Sequence, residues 1–110
     1  MRKRNPDFLR GTVDVLLLKA LSAGPRHGFA VARWLEDRTD DALQIEEGSL
    51  YPALHRMERR GWLEAEWSVS EKNRQVKCYR LTRRGRAHLQ AETSGWAEFA
   101  AAVAKVLQTG

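Results

Sequence analysis

The spacing of apolar residues changes abruptly at Gly61, and this change constrains the fold more than any other feature of the sequence. Upstream of it, apolar residues recur every three or four positions, as they do along one face of a helix. Downstream, Leu63, Ala65 and Trp67 alternate with polar residues, and "VKCYRL" alternates again after the polar stretch "SVSEKNRQ". A period of two is typical of a half-buried strand. Residues 62–81 therefore predict a β-hairpin.

Three helices are predicted before the hairpin and one long helix after it. The first covers residues 9–22 and ends at "SAGP", and the second covers residues 29–37. The third contains "EGSLYPALHRME" and ends at Gly61, and a helical pattern returns from Thr82 onward. This order of elements is that of a winged helix-turn-helix, an α+β fold that is mostly α.

The size of the chain fits one hydrophobic core, since it has 110 residues of which 43% are hydrophobic. We expect a winged helix-turn-helix DNA-binding domain over residues 1–81 and a C-terminal dimerisation helix over residues 82–110. The 19 basic residues outnumber the 14 acidic ones, which gives a net charge of +5. This excess predicts an acidic partner but does not separate DNA, RNA and anionic membranes.

The single cysteine, Cys78, allows no intramolecular disulfide, so a reducing cytoplasm is the simpler location. No apolar run approaches the roughly 20 residues that a helix needs to span a bilayer. The start "MRKRNPDFLR" also lacks the apolar stretch of a signal peptide. We therefore expect a cytoplasmic protein without a membrane partner.

The third predicted helix has an apolar side and a polar side. The apolar side consists of Leu50, Ala53, Leu54 and Met57. The polar side offers hydroxyl, phenol, imidazole and guanidinium groups, which suit base edges and phosphates in the major groove of DNA. The residues of this helix that we predict to contact DNA are Ser49, Tyr51, Pro52, His55, Arg56 and Arg59.

Pro52 is compatible with two start positions for this helix. Proline has no amide hydrogen and therefore fits best in the first turn. If Ser49 caps the helix, Pro52 lies in that turn. If the helix begins earlier, at Glu46 or Glu47, Pro52 bends it. The alternative for the whole stretch is structural: Pro52 marks a helix start, Tyr51 packs in the core, and the charged residues form a solvated face.

The distribution of charge favours the DNA-binding interpretation. Residues 72–86 contain seven basic residues and no acidic one, whereas residues 36–47 contain six carboxylates and one arginine. A basic hairpin beside a basic helix face is typical of a phosphate-binding surface. Lys72, Arg74 and Lys77 are the predicted contacts to the DNA backbone.

Four segments resemble the PadR family of bacterial transcriptional regulators: "LRGTVDVLLLKAL", "GPRHGFAVA", "EGSLYPALHRMERRGWLEAEW" and "KCYRLTRRGRAHL". The resemblance covers nearly the whole chain. It implies a homodimeric winged helix-turn-helix repressor that uses no metal, cofactor or catalysis and leaves its operator when an inducer binds or expression conditions change.

The resemblance also implies that the helix beginning near "HGF" directs its N-terminal amides, and with them His27, toward a DNA phosphate. The alternative for His27 is simple helix capping. The basic start "MRKRNP" is interpreted as an arm that reaches phosphate.

The last helix carries a seam for a second helix. Leu89, Trp96 and Val103 recur every seven residues, and Phe99 and Val106 fall between them at three or four. Glu92 breaks the pattern once. The helix could fold back on its own domain, but the surplus apolar surface of the first helix favours exchange between two protomers. A homodimer then places two recognition helices roughly 34 Å apart, as a pseudo-palindromic operator requires.

Trp96 and Phe99 lie where some PadR relatives bind flat aromatic inducers, and Gly95 leaves room beside them. A small aromatic effector is therefore one interpretation of this pair. A filled hydrophobic core is the other.

An enzyme is not expected, because His27, His55 and His88 are scattered and Cys78 has no suitably spaced metal ligands. The predicted function is that of a sequence-specific DNA-binding regulator, with repression inferred from the resemblance. The alternative is a winged-helix protein-interaction module that does not bind DNA. The operator, the regulated gene and the inducer do not follow from the sequence.

Overall fold

The computed structural model describes residues 6–109 of the chain, with side chains from residue 11 onward. The arm predicted at "MRKRNP" therefore falls almost entirely outside the described residues. The elements in chain order are α1 (Pro6–Ala20), β1 (Arg26–His27), α2 (Gly28–Arg38), α3 (Glu47–Arg59), β2 (Leu63–Val69), β3 (Gln75–Leu81) and α4 (Arg83–Gln108). The predicted α+β, mostly α winged helix-turn-helix is confirmed.

Helices α1, α2 and α3 enclose the core with the apolar faces that their helical spacing predicts. The largest fully buried side chains are Leu17, Leu18, Leu21, Val31, Leu50, Leu54, Met57 and Leu63. Complete burial of each such side chain contributes roughly 1.5–3 kcal/mol relative to exposure. This shared core holds α3 against α1 and α2 and leaves its polar side facing outward.

The hairpin forms as predicted, with β2 and β3 paired from Leu63 opposite Leu81 to Val69 opposite Gln75. The sequence did not reveal β1, a two-residue strand that pairs with the other edge of β3. The resulting antiparallel sheet has the order β1-β3-β2. Because β1 leads directly into α2, it fixes the start of α2 against the hairpin. The Arg26 Nε also donates to the Ala20 carbonyl at 2.7 Å, which closes the end of α1.

The start of α4 is fixed by Thr82. Its hydroxyl accepts from the Gly85 amide at 3.0 Å and donates to the Gly61 carbonyl at 2.6 Å. Gly85 itself is buried, and a Cβ there would overlap the carbonyl oxygen of Trp62. The Trp62 ring stacks on His88 with 3.7 Å between ring centroids. The first two turns of α4 therefore pack onto the end of α3 and the base of the hairpin.

Beyond Leu89, the described residues of α4 are all exposed. A helix of 26 residues is about 39 Å long, and the chain as a whole measures 58 × 29 × 28 Å. The second half of α4 thus extends beyond the compact part. Among the described residues, no helix has the length and apolar character needed to cross a membrane.

Candidate nucleic-acid interface

The polar face of α3 is the exposed side of the helix, and the residues predicted to contact DNA there are mostly accessible. Leu50, Ala53, Leu54 and Met57 are no more than 3% exposed, so they anchor the opposite side. Five of the six predicted contacts on α3 are exposed: Ser49, Tyr51, Pro52, His55 and Arg59. The helix therefore presents hydroxyl, imidazole and guanidinium groups to solvent from a well-packed base.

The start of α3 lies before Ser49, so the interpretation of Ser49 as the cap is wrong. Glu46 occupies the N-cap position with extended backbone, and its carbonyl accepts from the Ser49 and Leu50 amides at 2.9 Å each. Pro52 is then the sixth residue of the helix. Its missing amide leaves the carbonyl of Gly48 without the usual partner four residues on. Gly48 is exposed, so water can hydrate that carbonyl.

Tyr51 connects α3 to the start of α2. Its ring lies so close to Gly28 that a Cβ at this glycine would be 2.6 Å from the Tyr51 Cε1 atom. Gly28 is buried beneath the ring, while Tyr51 keeps 41% of its surface exposed. Tyr51 is therefore not a core residue. The close approach places Gly28 of the segment "HGF" against Tyr51 of "EGSLYPALHRME".

His27 occupies the N-cap position of α2 with φ −79° and ψ 160°, but its side chain makes no capping hydrogen bond. His27 is thus the N-cap residue of α2 by its backbone, as the capping alternative expected, but its side chain does not take part. The imidazole is exposed beside the first amides of α2. A contact between His27 and phosphate stays a prediction.

The tip of the hairpin carries Lys72 and Arg74, and both are exposed. The loop closes through the Ser70 amide, which donates to the Arg74 carbonyl at 2.8 Å, and through the Arg74 amide, which bonds to the Ser70 hydroxyl at 3.3 Å. Asn73 adopts φ +59°, a left-handed conformation that asparagine tolerates in turns. These bonds hold two cations at the end of the wing.

Arg56, one of the predicted DNA contacts, has a partner inside the fold. Its Nη2 donates to the Asp14 Oδ1 at 2.6 Å, and the two side chains are 28% and 11% exposed. Asp14 belongs to α1, and sequence reasoning overlooked it. The signal was a single carboxylate inside the apolar run "VDVLLL", because a charge buried among apolar residues needs a partner.

Lys77 also has a partner inside the fold. Its ammonium lies 3.2 Å from the Glu58 carboxylate of α3, and each side chain is 30% exposed. Partial burial alone lowers the pKa of Lys77, but the hydrogen bond to Glu58 and the neighbouring Tyr79 and Glu58 charges outweigh it. The net effect raises the pKa above its ordinary value of 10.5. Lys77 thus ties the wing to α3.

The predicted dimer seam on α4 divides into two parts. Leu89 is only 8% exposed and belongs to the chain's own core, which removes it from any surface that a second helix could cover. Trp96, Phe99, Val103 and Val106 are 37–71% exposed. These four residues, the α4 stripe, are the part of the seam that remains accessible.

A groove of about 900 Å³ runs between α1 and α4. Val13, Val15 and Leu16 line it from α1, and Trp96 and Phe99 line it from α4. The centroids of these two aromatic rings are 5.7 Å apart. Of the surplus apolar surface predicted for the first helix, Val15 is part of this groove, whereas Leu18 is fully buried in the chain's own core.

The helix-turn-helix of α2 and α3, the wing and the exposed polar face of α3 together define a winged-helix DNA-binding protein. The sequence profile of the "Transcriptional regulator PadR-like family" matches residues 17–91. The chain belongs to this family, as the sequence motifs predicted. Members of the family are transcriptional regulators, so DNA-binding regulation is its function class and the prediction of a non-enzyme is confirmed.

Individual relatives agree with the family. An uncharacterized protein of Lysinibacillus sphaericus is 30% identical over 92 residues, which is 84% of each chain. A PadR family transcriptional regulator from Eggerthella lenta is 32% identical, with a TM-score of 0.79 over 94% of this chain and 88% of that one. A transcriptional regulator from Clostridium thermocellum is 26% identical, with a TM-score of 0.81 over 90% and 96% of the two chains.

Proposed function

We propose that this chain forms a homodimer that binds a specific pseudo-palindromic sequence in double-stranded DNA and represses transcription in the cytoplasm. The observation that carries the proposal is the combination of an exposed polar face on α3 with a well-packed apolar base. The exposed groups at Ser49, His55 and Arg59 suit base edges and phosphates, and the wing tip adds Lys72 and Arg74.

Dimerisation is supported by the α4 stripe. Its four apolar residues follow a spacing of three and four residues and are 37–71% exposed. Covering them with the same stripe of a second copy buries apolar surface that the chain leaves accessible. A two-fold dimer of this kind places two copies of α3 on successive turns of DNA, roughly 34 Å apart.

Release by a small, flat aromatic effector is the second part of the proposal. The groove between α1 and α4 is mostly apolar, and its tilted Trp96 and Phe99 rings offer faces for stacking. Its volume of about 900 Å³ is within the range of small-molecule sites. Titration with a panel of phenolic and planar aromatic compounds should change the Trp fluorescence, and the absence of any response would count against an effector.

DNA binding is tested by selection of bound sequences from a random pool of duplex DNA with the full-length protein. We expect enrichment of one pseudo-palindrome whose half-sites are separated by about 10 base pairs. Affinity for it should fall steeply with salt, with a logarithmic slope of about −0.9 per phosphate contacted.

The same selection separates the two function classes. If no sequence is enriched and the protein binds DNA only weakly or not at all, the chain is a winged-helix protein-interaction module. Enrichment of a single half-site without its repeat would support DNA binding but contradict the dimer.

A further inference from the structure

Two ion pairs hold the C-terminal half of α3, and each involves a basic residue that the sequence assigned to DNA. Arg56 pairs with Asp14 of α1, and Glu58 of α3 pairs with Lys77 of the wing. We propose that Asp14 and Glu58 are positioning residues, and that Arg56 and Lys77 affect DNA binding by setting the orientation of α3 rather than by contacting DNA. This inference rests on the DNA binding proposed above.

The Asp14–Arg56 pair is suited to fixing the orientation of α3, because both side chains are largely removed from solvent. Asp14 as a residue is 8% exposed, and its neighbours in the sequence of α1, Val13 and Val15, are apolar. Breaking an ion pair at such a place is costly, because the remaining charge loses its nearest opposite charge in a largely buried setting. The 2.6 Å bond to Arg56 therefore fixes the relation between α1 and α3.

The Glu58–Lys77 pair acts two residues further along α3 and joins it to β3. Both side chains are 30% exposed, and the Lys77 ammonium also lies 5.4 Å from the ring centroid of Tyr79. The ammonium thus has a carboxylate and two aromatic rings of its own chain beside it. An ammonium held in this way is a poor candidate for a phosphate contact, compared with the exposed Lys72 and Arg74 at the wing tip.

The length of α3 makes its orientation important, because a small tilt near Arg56 displaces the start of the helix. Glu47 at the start of the helix is nine residues from Arg56, which is about 13 Å along the helix axis. A tilt of about 10° at Arg56 would move the start of the helix by about 2 Å, whereas a binding constellation tolerates about 0.5 Å. The N-terminal half of α3 carries Ser49, Tyr51 and Pro52, so loss of either ion pair should misplace these proposed DNA contacts.

The test measures affinity for the duplex that the wild-type protein selects, at several salt concentrations, for D14N, R56Q, the double variant, R56K and the wing-tip control R74Q. D14N removes a negative charge, which by charge alone should strengthen DNA binding. We expect it instead to weaken binding about tenfold, with R56Q similar. The double variant should lose less affinity than the sum of the two single losses, because the two residues share a bond.

The salt dependence separates positioning from contact. D14N and R56Q should leave the slope of log affinity against log salt unchanged, whereas R74Q should reduce its magnitude by about one. R56K keeps a cation against Asp14 and should recover most of the affinity lost in R56Q. If R56Q instead reduces the magnitude of the salt slope by about one unit, Arg56 is a phosphate contact and the proposal is wrong.

If D14N does not fold, the more exposed Glu58–Lys77 pair provides a second test. E58Q removes only the partner of the half-exposed Lys77 and should also weaken binding without changing the salt slope. Circular dichroism identifies the variants that are folded at the assay temperature. If the wild type selects a duplex and neither folded D14N nor E58Q binds it more weakly, the positioning role is wrong while DNA binding stands. If the wild type selects none, the proposed function itself fails.

Discussion

Helices α3 and α4 have the same kind of apolar stripe, but the structure buries one and exposes the other. The four apolar residues of α3 are at most 3% exposed, because α1, α2 and β2 cover them. The α4 stripe is 37–71% exposed, and only Gly85 and Leu89 at the start of α4 are buried. The spacing of apolar residues thus identifies the face that needs cover but does not identify what covers it.

The same contrast separates the roles of the two helices. Helix α3 is packed on one side so that its polar side can be held in a fixed place. Helix α4 is anchored at one end by Thr82 and leaves its second half accessible to another molecule. Under the proposed function, the first arrangement serves DNA and the second serves a second copy of the chain.

The largest expected effect compares the same substitution in the two helices. L54A removes a side chain that is fully buried in α3, and it should lower the free energy of unfolding by about 2–5 kcal/mol. L107A removes one that is 77% exposed in α4 and lies off the predicted seam, and it should change stability by less than about 0.5 kcal/mol. Urea unfolding measures both. Equal losses would show that α4 is covered as completely as α3.

The next prediction concerns what covers the α4 stripe. F99E places a carboxylate in the proposed seam and should raise the dimer dissociation constant by more than about 100-fold, because a buried charge without a partner opposes association. The control E98Q changes the neighbouring exposed residue and should leave the dimer intact. Light scattering at micromolar concentration checks both variants. A monomeric wild type under these conditions would contradict the dimer itself.

Two glycines in α4 compare its anchored and accessible halves. In G85A the new methyl group meets the Trp62 carbonyl, and we expect a loss of about 1–3 kcal/mol or more. In G95A the methyl group meets nothing within 4 Å, and we expect a gain of about 0.5–1 kcal/mol from helix propensity. Denaturant unfolding at low protein concentration measures both changes. A loss in G95A that grows with protein concentration would place a partner against Gly95.

The smallest effect concerns pH and the Lys77–Glu58 pair. Because the pKa of Lys77 is raised in the folded chain, the pair stabilises the fold below the unfolded pKa of 10.5 and is lost as pH rises through the higher folded value. K77M should therefore cost about 0.2–1 kcal/mol at neutral pH. The difference from wild type should disappear in strongly alkaline solution. Thermal unfolding across pH checks this, and a difference that grew with pH would contradict it.

Much of the architecture could be predicted, because the spacing of apolar residues and the positions of glycine and proline indicate helices, strands and turns directly. The change at Gly61 predicted the hairpin, and the helical spacing before and after it predicted four helices. The two-residue β1 could not be predicted, because two residues are too few to show a period. The start of α3 was left open by Pro52, since the sequence allowed both a cap at Ser49 and an earlier start.

The site was less predictable, because helical spacing assigns a residue to a face without showing its partners. His55 and Arg59 are exposed as the spacing implied, but Arg56 lies at the edge of that face and reaches a residue 42 positions away. Lys77 reaches one 19 positions away. Such long-range pairs become visible only when the helices are assembled. The proposed roles of Ser49, Tyr51, Pro52 and the wing cations stay predictions.

The close approach of Tyr51 to Gly28 has a consequence for how sequences of this kind can diverge. A methyl group at position 28 requires the Tyr51 ring to shift, since its Cβ would lie 2.6 Å from that ring. Replacement of Gly28 by alanine should be accepted most readily together with, or after, a smaller side chain at position 51. The two positions, 23 residues apart in the chain, are therefore expected to vary as a pair, and the order in which their substitutions arise is constrained.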